Sequence, residues 1–347
     1  MKSGFFSSSF WSERGLLVHG GISSPSSQTP HNCLSLLPLK NFNKAEVLDE
    51  KGPLLSHHSS CIVTCDNQDI LILIGGWTGH SRTSKVHAFN LMTKVWMELC
   101  ENPKGHHRVD PPAGLSGHTA TKINSSLICV IGREGGIKTQ RRFGQCFLLH
   151  LELKNKSYWY TESPILPESR SGHTANLAPP NKDASSKLIV FGGREIDHLF
   201  ICGKWKTDLV ENPPSCKSVA KSNLEKIPFK RVPVMMGLRY HAMLVLTPDC
   251  ILIHGGRHFK AISSKNVNDG FYLCSLGKKE SEESWVQLLI RPTIPRFAHT
   301  ICLVNDQLFI IGGFSSEDNK EAAKIEKVSL KDTAATAAIQ NDSTSKA

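Results

Sequence analysis

Short apolar runs bounded by glycine, proline, asparagine or aspartate dominate the chain, and apolar spacing of the helical kind is nearly absent. Five runs end in a glycine pair: LLVHGG at Gly20, LILIGG at Gly75, LIVFGG at Gly192, ILIHGG at Gly255 and LFIIGG at Gly312. A sixth, ICVIGR, keeps one glycine at Gly132. Successive first glycines stand 55, 57, 60, 63 and 57 residues apart, enough for one four-stranded unit each.

A second element precedes five of the runs and is built on a histidine: His58, His118, His173, His241 and His299. It lies 13 to 19 residues upstream, room for two strands and a tight turn. Downstream come a third apolar segment and then a tryptophan: Val86 to Phe89 with Trp96, Cys146 to Leu149 with Trp159, and Phe271 to Cys274 with Trp285. Runs apolar at every position suit strands covered on both faces. One such unit cannot bury its own two faces, so the units must stack, and radial stacking about an axis leaves only short edges.

The R/S-x-x-H-T strand, the run closed by Gly-Gly and the distal tryptophan resemble the kelch repeat, from about Phe6 to Leu330. The resemblance implies an all-β fold, a six-bladed kelch-type β-propeller over residues 5–331. Its blades fall near 5–50, 55–100, 115–162, 170–230, 238–290 and 296–331, and 332–347 read as a disordered tail.

Three irregularities stand out. The first unit lacks the histidine, yet Phe5 onward supplies two strands, with Cys33 to Leu37 and Ala45 to Leu48 completing it. The last unit shows three strands, ending with Ile325 to Leu330, and we expect an N-terminally short chain whose sixth blade lacks its closing strand. In the fourth unit Phe200 to Trp205 reads as the third strand. Beyond Pro213 and Pro214, the residues Cys216, Val219, Ala220, Leu224 and Ile227 recur at helical spacing, which predicts a short amphipathic helix.

Composition narrows the function. Lys and Arg exceed Asp and Glu by 10 charges, which favours acidic partners, but the basic residues are scattered and no nucleic-acid signature occurs. The cysteines number eleven, an odd count without a C-x-x-C pair, and Cys61, Cys129, Cys250, Cys274 and Cys302, inside apolar runs, read as small buried hydrophobes in a reducing compartment. No secretory signal or membrane-length run is visible, so a soluble monomer of cytoplasm or nucleus is expected. There the sequons at Asn124 and Asn155 carry no meaning.

Candidate chemistry is thin. GREGGIKT at Gly132 to Thr139 approaches a phosphate-binding loop, but Ile137 replaces the second glycine and Arg141 to Leu149 reads as a strand, so no helix N-terminus would face a phosphate. A histidine repeated once per blade reads as part of the blade and not as a metal ligand. No nucleophile elbow or acid and base pair is apparent, so no cofactor, metal or catalytic residue is assigned.

What remains is a rim. In kelch interaction domains, the residues after Gly-Gly and those before the histidine strand lie in loops on one face. Carried over, this gathers Trp77, Arg133, Arg194, Arg257 and Phe314 with Arg170, Arg239 and Arg296, and Lys138, Arg141 and Arg142 extend one loop outward. Forked guanidinium donors suit carboxylates or phosphates, so a protein partner with an acidic or phosphorylated segment is expected. Glu134 and Glu195 follow two of the arginines and would offset them. The stretches PPAGLSGHTATKI, GREGGIKTQRRFG and NDQLFIIGGF narrow the resemblance to one group of kelch proteins, which suggests an A-type cyclin among the partners. A cullin-ligase substrate receptor is one alternative, which would need a BTB domain or adaptor box beyond the repeats, and a metal-binding or enzymatic propeller is the other, ranked last.

Overall fold

The computed structural model describes residues 3–132, 146–163, 170–180, 185–193, 199–206, 225–227, 238–258, 267–268, 270–276, 284–288, 293–315 and 324–329. These residues form six sheets that follow one another along the chain, antiparallel but for one edge pair, and a separate two-stranded sheet of Leu238–Arg239 with Arg257–His258. The first takes Ser7–Trp11, Gly15–His19, Leu34–Pro38 and Glu46–Asp49. The second takes Ser59–Cys65, Gln68–Trp77, Arg82–Asn90 and Val95–Met97. In the third, Thr119–Lys122, Leu127–Ile131, Cys146–Glu152 and Ser157–Glu162 carry the linker strand Cys100–Glu101, paired in parallel on the outer edge.

The fourth sheet holds Thr174–Leu177, Ser185–Phe191, Leu199–Lys206 and Glu225–Ile227. The fifth holds Ala242–Thr247, Cys250–His254, Phe271–Ser275 and Ser284–Leu288. The sixth holds Thr300–Val304, Gln307–Ile311 and Glu326–Ser329.

Side chains alternate across each sheet, and both faces are covered. In Gln68–Trp77, Leu71 and Leu73 pack with Leu17 and Leu34 of the first sheet, while Ile70, Ile72 and Ile74 pack with Ile128 and Val130 of the third. The same exchange joins the third to the fourth sheet, the fourth to the fifth and the fifth to the sixth. The sixth closes on the first through Cys302 and Ile311 against Leu16, Val18 and Phe42. A fully buried side chain such as Ile72 contributes about 1.5–3 kcal/mol, so the stability lies between the blades. The fold is a β-propeller.

The C-terminal end of the expected helix is corrected. Glu225–Ile227 is the outer strand of the fourth blade, paired with Leu199–Ile201, because ladder bonds to an open strand edge outweigh a weak helical pattern. Residues 207–224, which hold the rest of that pattern, lie outside the described residues, as does 330–347 with the expected tail. The sixth blade shows three strands among the described residues.

Candidate functional site

The residue before each histidine, and its counterpart Phe5 in the first blade, forms the axis. Phe5 N–H donates to the Ala298 carbonyl at 3.2 Å, His57 to Phe5 at 2.8 Å, Gly117 to His57 at 3.1 Å, Gly172 to Gly117 at 2.8 Å, Tyr240 to Gly172 at 2.7 Å and Ala298 to Tyr240 at 2.8 Å. These six bonds make a closed ring. Every member has a left-handed φ, from 54° at Phe5 and His57 to 67° at Gly172. Four of the six are not glycine, each held in a region that costs L-residues about 1–2 kcal/mol.

The next residue inward, histidine in five blades and Phe6 in the first, explains the glycine repeat. Its ring lies over the first glycine of the preceding blade: His58 over Gly20, His118 over Gly75, His173 over Gly132, His241 over Gly192, His299 over Gly255 and Phe6 over Gly312. A Cβ at those glycines would stand 2.5 to 3.0 Å from the ring. His173 Nε2 meets Thr119 Oγ1 at 2.9 Å, and His241 Nε2 meets Thr174 Oγ1 at 2.8 Å. His58 meets Ser7 at 2.7 Å. In the fifth blade Ala242 stands where that hydroxyl would be, and His254 Nδ1 takes its place on His299 Nε2 at 2.9 Å.

Burial governs these imidazoles. It pushes His118 down to about 4 and His241 to about 3, in each case against a backbone carbonyl that favours the proton. His58, His173 and His299 fall well below the usual imidazole range, through burial first and neighbouring cationic or imidazole groups second. All five are neutral near pH 7. They line a cavity of about 130 Å³ on the axis, below the ring. Among the described residues no cluster of three histidine, cysteine or carboxylate groups could hold a metal.

Ring side chains line the mouth of the channel. Phe5 stacks on His57 with centroids 3.9 Å apart and meets the Tyr240 ring edge-on at 4.9 Å. Around these rings, the residue after the glycine pair bonds the residue two before the histidine. Trp77 pairs with Ser56, Arg257 with Arg239, and Phe314 with Phe297. The two loop sets that the sequence places on one face therefore meet there.

One position of offset decides which arginines reach the surface. Arg239 lies two before its histidine, and its guanidinium stacks on Tyr240 at 5.3 Å. Arg257 lies over Phe297 at 4.7 Å and Tyr240 at 5.6 Å. Both are half-buried. Arg170 and Arg296 lie three before their histidines, and alternation turns them inward.

They are thus corrected as rim residues: exposure is 2% for Arg170 and 0% for Arg296. Arg170 Nη1 donates to the Gly192 carbonyl at 3.2 Å and Arg296 Nη1 to Gly312 at 3.0 Å, each in its own blade. Arg296 also binds the Lys324 carbonyl and the Glu326 carboxylate. In the first blade Ser3 Oγ makes the equivalent bond to Gly20 at 3.3 Å. Phe314 is likewise corrected, fully buried between Phe297 and Phe5. Arg133, Lys138, Arg141, Arg142 and Arg194 lie outside the described residues.

The sequence reading omits Arg82, which is exposed and pairs with Trp77 across the Thr78–Ser81 turn. Its signal was the turn WTGHSR around Gly79, which brings both ends of the hairpin together. After burial, the charges that hold His57 below the usual imidazole range are Arg82 and then Arg257. The mouth is therefore electropositive from two sides.

A family model described as the kelch motif matches residues 59–99. The chain is 31% identical over 315 residues to human kelch domain-containing protein 9, covering 89% of this chain and 85% of that protein. The chain belongs to the kelch-repeat family. The mouse kelch domain-containing protein 9 is 29% identical over 88% of this chain and 85% of its own. Human kelch domain-containing protein 10 is 32% identical over 33% of this chain and 24% of its own. The solved structure titled "Structure of YjhT" covers 96% of both chains with a TM-score of 0.59 at 15% identity, a likeness of fold. The kelch histidines and the first glycines of the runs pack against one another around that axial ring, and kelch membership suggests an interaction scaffold.

Proposed function

We propose that this protein is a non-enzymatic scaffold that captures a protein partner by an acidic segment laid across the loop face. The observation that carries this reading is that Arg82 and Arg257 both act on His57, at a mouth lined by the packed rings of Phe5, His57 and Tyr240. A mouth narrowed by packed rings favours a ligand that lies over the face. Half-buried arginines stacked on aromatic rings are held in place before binding, which lowers the ordering cost of forked bonds to carboxylates. Trp77 and Tyr240 add amphipathic area of the kind enriched at interfaces.

The A-type cyclin suggested by the sequence resemblance is the first purified partner to test. Wild type and an Arg239→Ala, Arg257→Ala double variant are compared for binding at low and high salt. The expected result is tight, salt-sensitive binding lost in the variant. Equal binding by both proteins to every partner that wild type retains would sink the reading.

A further inference from the structure

Beside the mouth, residues of the first two blades and Ser116 line a second, open pocket of about 190 Å³. It is lined by Ser56, His57 and Ser116, by Ile22 and Pro25, and by Trp77 with Arg82. Arg82 is exposed, and among the described residues no carboxylate pairs with it. Trp77 is fixed by its indole N–H, which donates to the Gln28 carbonyl at 3.1 Å, so its ring stands as a rigid wall. Ser56 Oγ and His57 Nδ1 are 3.1 Å apart, and Ser116 is 3% exposed, so these polar groups are held in place.

We infer that this pocket receives one anionic side chain of the partner, with a short apolar stem. The stem of a glutamate fits between Trp77 and Ile22, while its carboxylate takes the forked donors of Arg82 above the serine hydroxyls. A phosphoserine offers the same anionic chemistry with more oxygens. The inference rests on the loop-face reading, and it adds an off-axis seat that Arg239 and Arg257 do not contribute.

The test uses the full chain and three fluorescein-labelled ten-residue peptides, with glutamate, glutamine or phosphoserine at alternate positions. Fluorescence polarisation is read for wild type, Arg82→Ala, Arg257→Ala and Lys85→Ala. Lys85 is an exposed cation on the same strand outside the pocket, so its loss removes equal charge without the seat. The expected result is about tenfold weaker binding of the glutamate peptide by Arg82→Ala, the glutamine peptide equally weak on wild type, and Lys85→Ala unchanged. Stronger binding of the phosphoserine peptide, lost with Arg82, supports the same seat with phosphate as its source.

Equal weakening by Arg82→Ala and Lys85→Ala overturns the pocket, as does no binding of any peptide to wild type. Loss with Arg257→Ala alone leaves the loop-face reading standing and removes the pocket. Loss with neither arginine removes both.

Discussion

His58 of the second blade lies over Gly20 of the first, where a Cβ would come within 3.0 Å of its Cε1 and 2.2 Å of the Leu55 carbonyl. Gly20 also has a φ of 68°. A Gly20→Ala variant thus meets both a steric and a conformational barrier, and a loss of about 2–4 kcal/mol is expected from urea unfolding. Gly79→Ala, where the nearest atom is 3.3 Å away, should lose only about 1 kcal/mol through its φ of 97°. Equal losses would mean that the imidazole does not fix the glycine.

Acid should weaken the blade contacts before anything else. His58, His118, His173, His241 and His299 are neutral in the folded protein and held below 6.5 by burial, whereas the unfolded chain protonates near 6.5. The unfolded state therefore binds more protons below that point. Stability is complete above about pH 6.5 and falls as the pH drops, by about 1.4 kcal/mol per unit for each such histidine until its folded pKa is reached. Urea midpoints at pH 7.5, 6.5 and 5.5 measure this, and a flat profile would refute it.

Arg296 should behave as a structural residue. Arg296→Ala strips bonds from the Gly312 and Lys324 carbonyls and strands Glu326, so a loss of about 3–5 kcal/mol is expected. Arg257→Ala, half-buried on aromatic rings, should shift stability by under about 1 kcal/mol while weakening partner capture. Thermal melts of both variants alongside capture assays separate the two roles.

The fifth blade offers a rescue. His254→Leu removes the only hydroxyl or imidazole partner that His299 Nε2 has among the described residues, with an expected loss of about 1–3 kcal/mol. Adding Ala242→Thr supplies the hydroxyl that Thr119 and Thr174 supply elsewhere, and should recover part of that loss. A double-mutant cycle without recovery would show that His254 serves Thr293 instead, its other partner at 3.2 Å.

The repeat is legible in the sequence because its residues answer a demand made once per blade: a histidine needs a glycine beneath it, and buried strands need apolar residues on both faces. Phe6 escapes the histidine pattern yet occupies the same place over Gly312, since that demand is for a flat ring. The rim is less legible. Arg170, Arg239 and Arg296 look alike in sequence, and a shift of one residue along an extended strand sends two inward and one outward. Ile227 sits in a helical pattern but lies in a strand, because an open edge of Leu199–Ile201 was available to it. Arg82 hides because it reaches the site across a hairpin and not through the repeat.

The ring of six backbone bonds runs head to tail around the axis, each amide dipole lying along the circumference. Vectors arranged in such a circle cancel, so the backbone lends the opening no polarity of its own. Whatever preference the face has for the sign of an approaching charge must come from side chains, and it can be rewritten there without disturbing the hub.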